Sequence, residues 1–102
     1  MAVLRPTGEK SVVLRLFIAD GTASARRAID NRARLLAALT DDVEITLVDV
    51  LKNPADAEAA GIVATPTLSD DSVTPPRRVI GDLSDVEQII DFFGCRRKEH
   101  QA

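Results

Sequence analysis

Few residues in this 102-residue chain are of a type that does chemistry, and they are badly placed to do it together. There is one cysteine, Cys95, and one histidine, His100, both close to the C-terminus. A single cysteine excludes an internal disulfide and any C-x-x-C pair. Ser24, Ser69 and Ser84 have no histidine within the patterned region to act as base, and no G-x-S-x-G elbow occurs. Asp41, Asp42, Asp70 and Asp71 fall among turn formers, where aspartates make local Asx bonds. The Asp70-Asp71 pair is the nearest thing to a cation site, but nothing beside it supplies the six or more oxygens that calcium takes. No glycine-rich phosphate loop is present. The expectation is a protein without catalytic residues, cofactor or metal, whose work is binding.

Composition narrows what it binds. The chain is 45% hydrophobic and 28% charged, with net charge -3, which describes one globular domain with no global basic field for nucleic acid. Three Phe with no Trp or Tyr make the core aliphatic and leave little for stacking on bases. Arg26, Arg27, Arg32 and Arg34 cluster, as do Arg96, Arg97 and Lys98; these read as a solvated helix face and a charged tail. No apolar run approaches the length of a membrane span, and MAVLRPTGEK lacks a signal-peptide apolar region, so a cytoplasmic location is expected.

The elements that must position a binding face follow from periodicity. SVVLRLFIAD predicts a strand over Val12 to Ala19, with Leu14, Leu16 and Ile18 on one face and Val13, Arg15 and Phe17 on the other. Asp20-Gly21 ends it, and Thr22 or Ser24 can cap a helix over Ala23 to Leu39. Ala25, Ala28, Ile29, Leu35, Leu36 and Leu39 form that helix's apolar stripe. Arg32 lies beside the stripe, its stem along the core edge and its head expected in water. VEITLVDV is a second strand ending near Val50, and strand, helix and strand make a parallel βαβ unit. Asn53 as cap, Pro54 at the first turn and Gly61 as stop predict a short helix over Pro54 to Ala60. TPTLS and RRVIG are short strands joined by DDSVTPP. Ser84 and Glu87 have capping-box spacing for a last helix over Asp85 to Phe93, stopped by Gly94.

The order βαβαββα with a mixed four-stranded sheet is the thioredoxin-like arrangement, an α/β fold. Residues 11–94 are expected to form its single domain, with residues 1–10 and 95–102 as a flexible N-terminus and a flexible basic tail. Redox enzymes of that fold carry C-x-x-C at the turn after the first strand, where the helix N-terminus stabilises a thiolate. Here that turn is Asp20-Gly21-Thr22-Ala23-Ser24-Ala25, so dithiol exchange is excluded. The proline before the third strand is typically cis in such domains, so a cis Thr65-Pro66 bond is expected, with Pro66 placed where no ladder donor is missed.

LVDVLKNPADAEAAGIVATPTLS followed by RRVIGDLSD, with VVLRLFIADGTASARRAI before it, closely resembles the circadian clock KaiB family over Val12 to Phe93. The resemblance implies a non-enzymatic regulator that binds the RecA-like ATPase KaiC on its N-terminal ring and shifts it from phosphorylation toward dephosphorylation. It also implies a metamorphic chain. A tetrameric ground state, βαββααβ, refolds the C-terminal half, whereas the KaiC-binding monomer is thioredoxin-like. Gly81, Asp82, Ser84, Asp85 and Glu87 lie in the region that would change, and the helix cap there favours the thioredoxin-like state. Partner contacts are expected at Thr22, Arg26, Lys52, Asn53 and Pro54, although Asn53 and Pro54 also serve simply to start a helix. This is a non-standard, short-tailed member. It ends CRRKEHQA rather than in a longer acidic tail, has ADGTASA where AGNTPNS is common, and carries Arg26 and Arg32 at usually apolar positions. On these departures KaiA and the clock histidine kinase are doubtful partners; a homo-tetramer stays possible in the alternative fold. The second reading is a thioredoxin-like adaptor or sensory module for another signalling partner, without redox activity.

Overall fold

The computed structural model describes residues 11–98. Along them run β1 (Val12–Ile18), α1 (Ala23–Ala38), β2 (Val43–Asp49), α2 (Pro54–Ala60), β3 (Thr67–Asp70), β4 (Arg77–Ile80) and α3 (Val86–Phe93). The strands form one mixed sheet in the order β2-β1-β3-β4. β1 runs parallel to β2 over seven paired positions, Val12 with Val43 through Ile18 with Asp49. It runs antiparallel to β3, and β3 antiparallel to β4. The chain therefore takes the βαβαββα arrangement.

Alternation along β1 decides where the core sits. Leu14, Leu16 and Ile18 are buried with Ala25, Ala28 and Leu35 of α1, Leu39 at its end, and Ile89, Ile90 and Phe93 of α3. Phe17, on the opposite face, is also fully buried, and like Ala57 of α2 it stands outside that cluster. Both faces of the sheet are thus covered at this level, which is why β1 reads as a nearly continuous apolar run.

Four expectations need correction. The Arg32 head does more than reach water: its Nε donates to the Ile45 carbonyl at 2.7 Å. β2 is an edge strand, and its outward carbonyls need a donor that no neighbouring strand supplies. The Ser84–Glu87 capping box does not form. Asp85 is the N-cap, accepting from the Gln88 amide at 3.1 Å, while the Ser84 amide donates to Asp82 Oδ1 and Glu87 pairs with Arg97. Asn53 holds the cap position of α2 without capping it, because its Nδ2 is turned back to the Asp49 carbonyl at 3.1 Å. Finally, Cys95 to Lys98 are not a loose tail. Arg97 bridges to Leu39, the Thr40 amide donates to the Arg96 carbonyl, and the Lys98 amide donates to the Ala38 carbonyl. Gly94 in the left-handed region (φ 66°) turns the chain back toward α1 to make those bonds.

Leu83 lies two residues before the Asp85 cap. This residue has φ 67° and is only 2% exposed. A left-handed leucine costs roughly 1–2 kcal/mol, and full burial of its side chain returns about 1.5–3 kcal/mol, so the strained turn is held by the core it fills.

Candidate functional site

The loops that carry the expected contact residues all lie at one end of the sheet, the carboxyl end of parallel strands β1 and β2. In open α/β sheets this is the end where ligands and partners are met. After β1, the Thr22 hydroxyl donates to the Ala19 carbonyl at 2.8 Å and accepts from the Ala25 amide at 3.1 Å, closing the turn and capping α1. Gly21 (φ 90°) makes the bend. After β2, Asp49 joins the two loops: its Oδ1 accepts from the Asp20 amide at 3.3 Å and the Leu51 amide at 3.0 Å. Its carbonyl accepts from the Lys52 and Asn53 amides. β3 starts at the same end because Thr67 pairs with Phe17. It is preceded by a cis Thr65-Pro66 bond, and the Thr67 hydroxyl donates to the Ala64 carbonyl at 2.7 Å. A second cis bond, Thr74-Pro75, lies in the β3–β4 loop.

Thr22 and Arg26 line one shallow hollow with Asp20, Gly21 and Ile29. Lys52, Asn53 and Pro54 are exposed on the neighbouring loop. Among the described residues neither Arg26 nor Lys52 forms an ion pair, so both cations are presented outward. The other group, Gly81, Asp82, Ser84, Asp85 and Glu87, is brought toward the same end, since β4 runs back beside β3 and the Gly81 amide donates to the Pro66 carbonyl at 2.9 Å. Asp82 is gripped from α1, by Arg27 Nε on its carboxylate at 3.0 Å and by Asn31 Nδ2 on its carbonyl at 2.8 Å. The hydrogen bonds from Arg27 and then from Ser84 hold its carboxyl below the ordinary aspartate range.

Three features went unseen in the sequence: Asp49 as a link between loops, Asn31 and Arg27 as holders of Asp82, and a polar cluster on the α2 face of the sheet. In that cluster Asp71 Oδ2 accepts from Arg15 Nε at 2.7 Å and Oδ1 from the Ser69 hydroxyl at 2.8 Å. Arg78 Nε donates to Ser69 Oγ at 3.1 Å and its Nη2 to the Ala60 carbonyl at 2.6 Å. The Arg15 guanidinium lies 4.8 Å from the Phe17 ring centre, within cation–π range. Burial pushes the Asp71 carboxyl up, but the hydrogen bonds of Arg15 and Ser69 outweigh it and leave the pKa lowered. The Asp70-Asp71 pair is thereby divided: Asp71 serves the arginines, and Asp70 accepts from the Ser72 amide and hydroxyl in an Asx turn. A charged residue in the middle of a buried strand, Arg15, was the one available signal for this cluster.

The turn that would hold a dithiol contains none, and the Cys95 thiol lies beyond α3. Burial, followed by the charges of Asp70 and Asp42, raises its pKa, the reverse of an activated thiol. His100 lies outside the described residues.

With this geometry the domain belongs to the thioredoxin-like class of α/β domains. Solved structures of that fold include the N-terminal domain of SasA from Synechococcus elongatus, 22% identical, covering 92% of this chain and 94% of that one with TM-score 0.65. A mutant thioredoxin from Halobacterium salinarum is 29% identical, covering 80% of this chain and 71% of that one with TM-score 0.64. Residues 15–93 match the KaiB domain family. The circadian clock oscillator protein KaiB of Synechococcus sp. (strain CC9311) is 42% identical over 82 residues, 79% of this chain and 69% of that protein. Its counterpart in Trichodesmium erythraeum is 41% identical over 83 residues, 80% of each chain. The chain belongs to the KaiB family.

Proposed function

We propose that this protein is a non-enzymatic, cytoplasmic regulator that docks on the ring of a KaiC-like RecA-type ATPase and modulates its phosphorylation state in a timing or stress system. The docking surface is the carboxyl end of the sheet, with Thr22, Arg26, Lys52, Asn53 and Pro54 as contacts. The observation that carries this reading is the Asp49 link. One carboxylate ties the two loops together, and beside it Arg26 and Lys52 are exposed and form no ion pair among the described residues. Rigid presentation lowers the ordering cost of docking. Any ATP chemistry belongs to the partner. In the same proposal the monomer binds in the βαβαββα form, and Gly81 to Glu87 is the stretch from which the βαββααβ arrangement would diverge.

The test is co-elution of the full chain with a KaiC-type ring and ATP on size-exclusion chromatography. Lys52→Glu is expected to reduce the bound fraction at least tenfold, the range for a desolvated charge at an interface centre. Undiminished binding by that variant rejects the corner as the contact. The likeness to the SasA domain favours a second reading, an adaptor for another signalling partner. Absence of any co-elution by the unmodified protein selects it.

A further inference from the structure

β2 is one edge of the sheet, and the hydrogen bonds at its two ends show which of its main-chain groups face outward. The Val12 amide donates to the Asp42 carbonyl at 3.1 Å, and the Val50 amide to the Ile18 carbonyl at 2.8 Å. By the alternation of a parallel ladder, Glu44, Thr46 and Val48 between them turn their main chain toward β1. Val43, Ile45, Leu47 and Asp49 turn theirs away from the sheet. Local turns close the two ends of that outer row: the Val43 amide donates to the Thr40 carbonyl at 3.3 Å, and the Asp49 carbonyl accepts from the Lys52 and Asn53 amides. In the middle, the Ile45 carbonyl accepts from Arg32 Nε at 2.7 Å. The Ile45 amide and both main-chain groups of Leu47 form no hydrogen bond among the described residues, and the Leu47 side chain is 40% exposed.

From this row we propose that the β2 edge is a pairing surface for a second copy of this chain, and that Arg32 is the residue that keeps it closed. A two-fold axis at Thr46 sets β2 antiparallel to itself, with Ile45 opposite Leu47 of the second copy. Each such pair exchanges two hydrogen bonds. The Val43 amide and the Asp49 carbonyl are already bonded, so the pairing centres on Ile45 and Leu47. Half of its bonds then end on an Ile45 carbonyl, the acceptor that Arg32 holds in each copy. The Arg32 guanidinium also stands at the edge that a second strand would cover, and a charge enclosed in such a seam is unfavourable. The bonds that remain are too few to offset the cost of association. Arg32 thus leaves the chain unpaired at an edge whose other groups suit a second copy. This inference rests on β2 and α1 alone and is independent of ring docking.

The test is sedimentation equilibrium of the full chain over a concentration series, with hydrogen exchange read by NMR. Arg32→Met keeps an unbranched stem and a good helix former but removes the donor. It is expected to tighten self-association about thirtyfold over the unmodified chain, the value of two restored hydrogen bonds. Exchange at the Ile45 and Leu47 amides is expected to slow as its concentration rises, with the Leu14 amide unchanged. Adding Leu47→Lys to Arg32→Met returns a charge to the edge and is expected to restore the weak association of the unmodified chain. Self-association no tighter in Arg32→Met, or tight association that survives Leu47→Lys, overturns the proposal. So does an unmodified chain whose Ile45 and Leu47 amides become protected as its concentration rises. In the unmodified chain the Arg32 Nε proton is expected to exchange about tenfold more slowly than that of Arg26. Equal rates there overturn the proposal even where Arg32→Met fails to fold.

Discussion

The two halves of the molecule are built by different means. In the first half, β1, α1 and β2 are long, contiguous and patterned; seven residues pair with seven, and one aliphatic stripe on α1 covers them. In the second half, β3 and β4 are four residues each, α3 is eight, and the connections carry two cis prolines and a left-handed leucine. Besides the β1–β3 ladder and the shared core, the second half is positioned by polar contacts: Arg15 to Asp71 and Arg27 and Asn31 to Asp82 from the first half, and Arg78 to Ala60 of α2. The first half is held mainly by its ladder and its apolar pattern, with Leu68, Leu83, Ile89, Ile90 and Phe93 of the second half completing the core. A half held by long-range side-chain contacts is conditional, because each contact needs the other half in place and is individually weak.

The comparison can be broken most forcefully in the core they share. Leu16→Ala is expected to cost about 2–5 kcal/mol in urea denaturation, as large-to-small changes at fully buried sites do. Because Leu16 lies in β1 against both helices, protection is expected to fall in both halves together; loss confined to one half contradicts the shared core. A smaller effect sharpens the account of Leu83. Truncation to alanine or to glycine removes nearly the same burial, but glycine carries no penalty at φ 67°. Leu83→Gly is therefore expected to be more stable than Leu83→Ala by about 1 kcal/mol, the reverse of the usual order. The ordinary order in thermal melts refutes strain at that turn.

The smallest effect is in acid. Asp71 and Asp82 both have carboxyls held below the ordinary value of 3.8, Asp82 by Arg27 and Ser84, and Asp71 by Arg15 and Ser69 against its burial. A depressed pKa in the folded state contributes stability above the unfolded value, and that contribution is lost as pH falls through the folded value. The urea midpoint is expected to stay level above pH 3.8 on account of these groups and to decline below it. Asp82→Asn is expected to make the decline shallower; an unchanged slope removes Asp82 from the account.

Much of the first half was legible in the residues. Leu14, Leu16 and Ile18 alternate with Val13, Arg15 and Phe17, and α1 begins at Ala23 under a Thr22 cap as its sequence predicts. α2 spans Pro54–Ala60 between proline and glycine signals that act within a few residues. What failed were assignments that depended on a distant neighbour. Ser84 and Glu87 have capping-box spacing, but the Ser84 amide goes to Asp82 and Glu87 pairs with Arg97, leaving Asp85 as the cap. Arg32 has a snorkelling position, but an edge-strand carbonyl takes its head. The basic run after Gly94 resembles a tail, but open main-chain groups near Leu39 pair with it.

The proposed contact residues divide along the same line. Thr22, Arg26, Lys52, Asn53 and Pro54 could be named as candidates one by one, and that the dithiol turn holds no cysteine is plain in the chain itself. The sequence alone determined the order of elements, the family and the lack of a redox pair, since these rest on periodicity, local turn chemistry and residue identity. Only the tertiary structure decided that one carboxylate, Asp49, joins the two loops, and that Asn31 and Arg27 hold Asp82 across about fifty residues of chain. The reason is physical: a side-chain hydrogen bond specifies its partner by distance in space, and sequence separation carries no record of that distance.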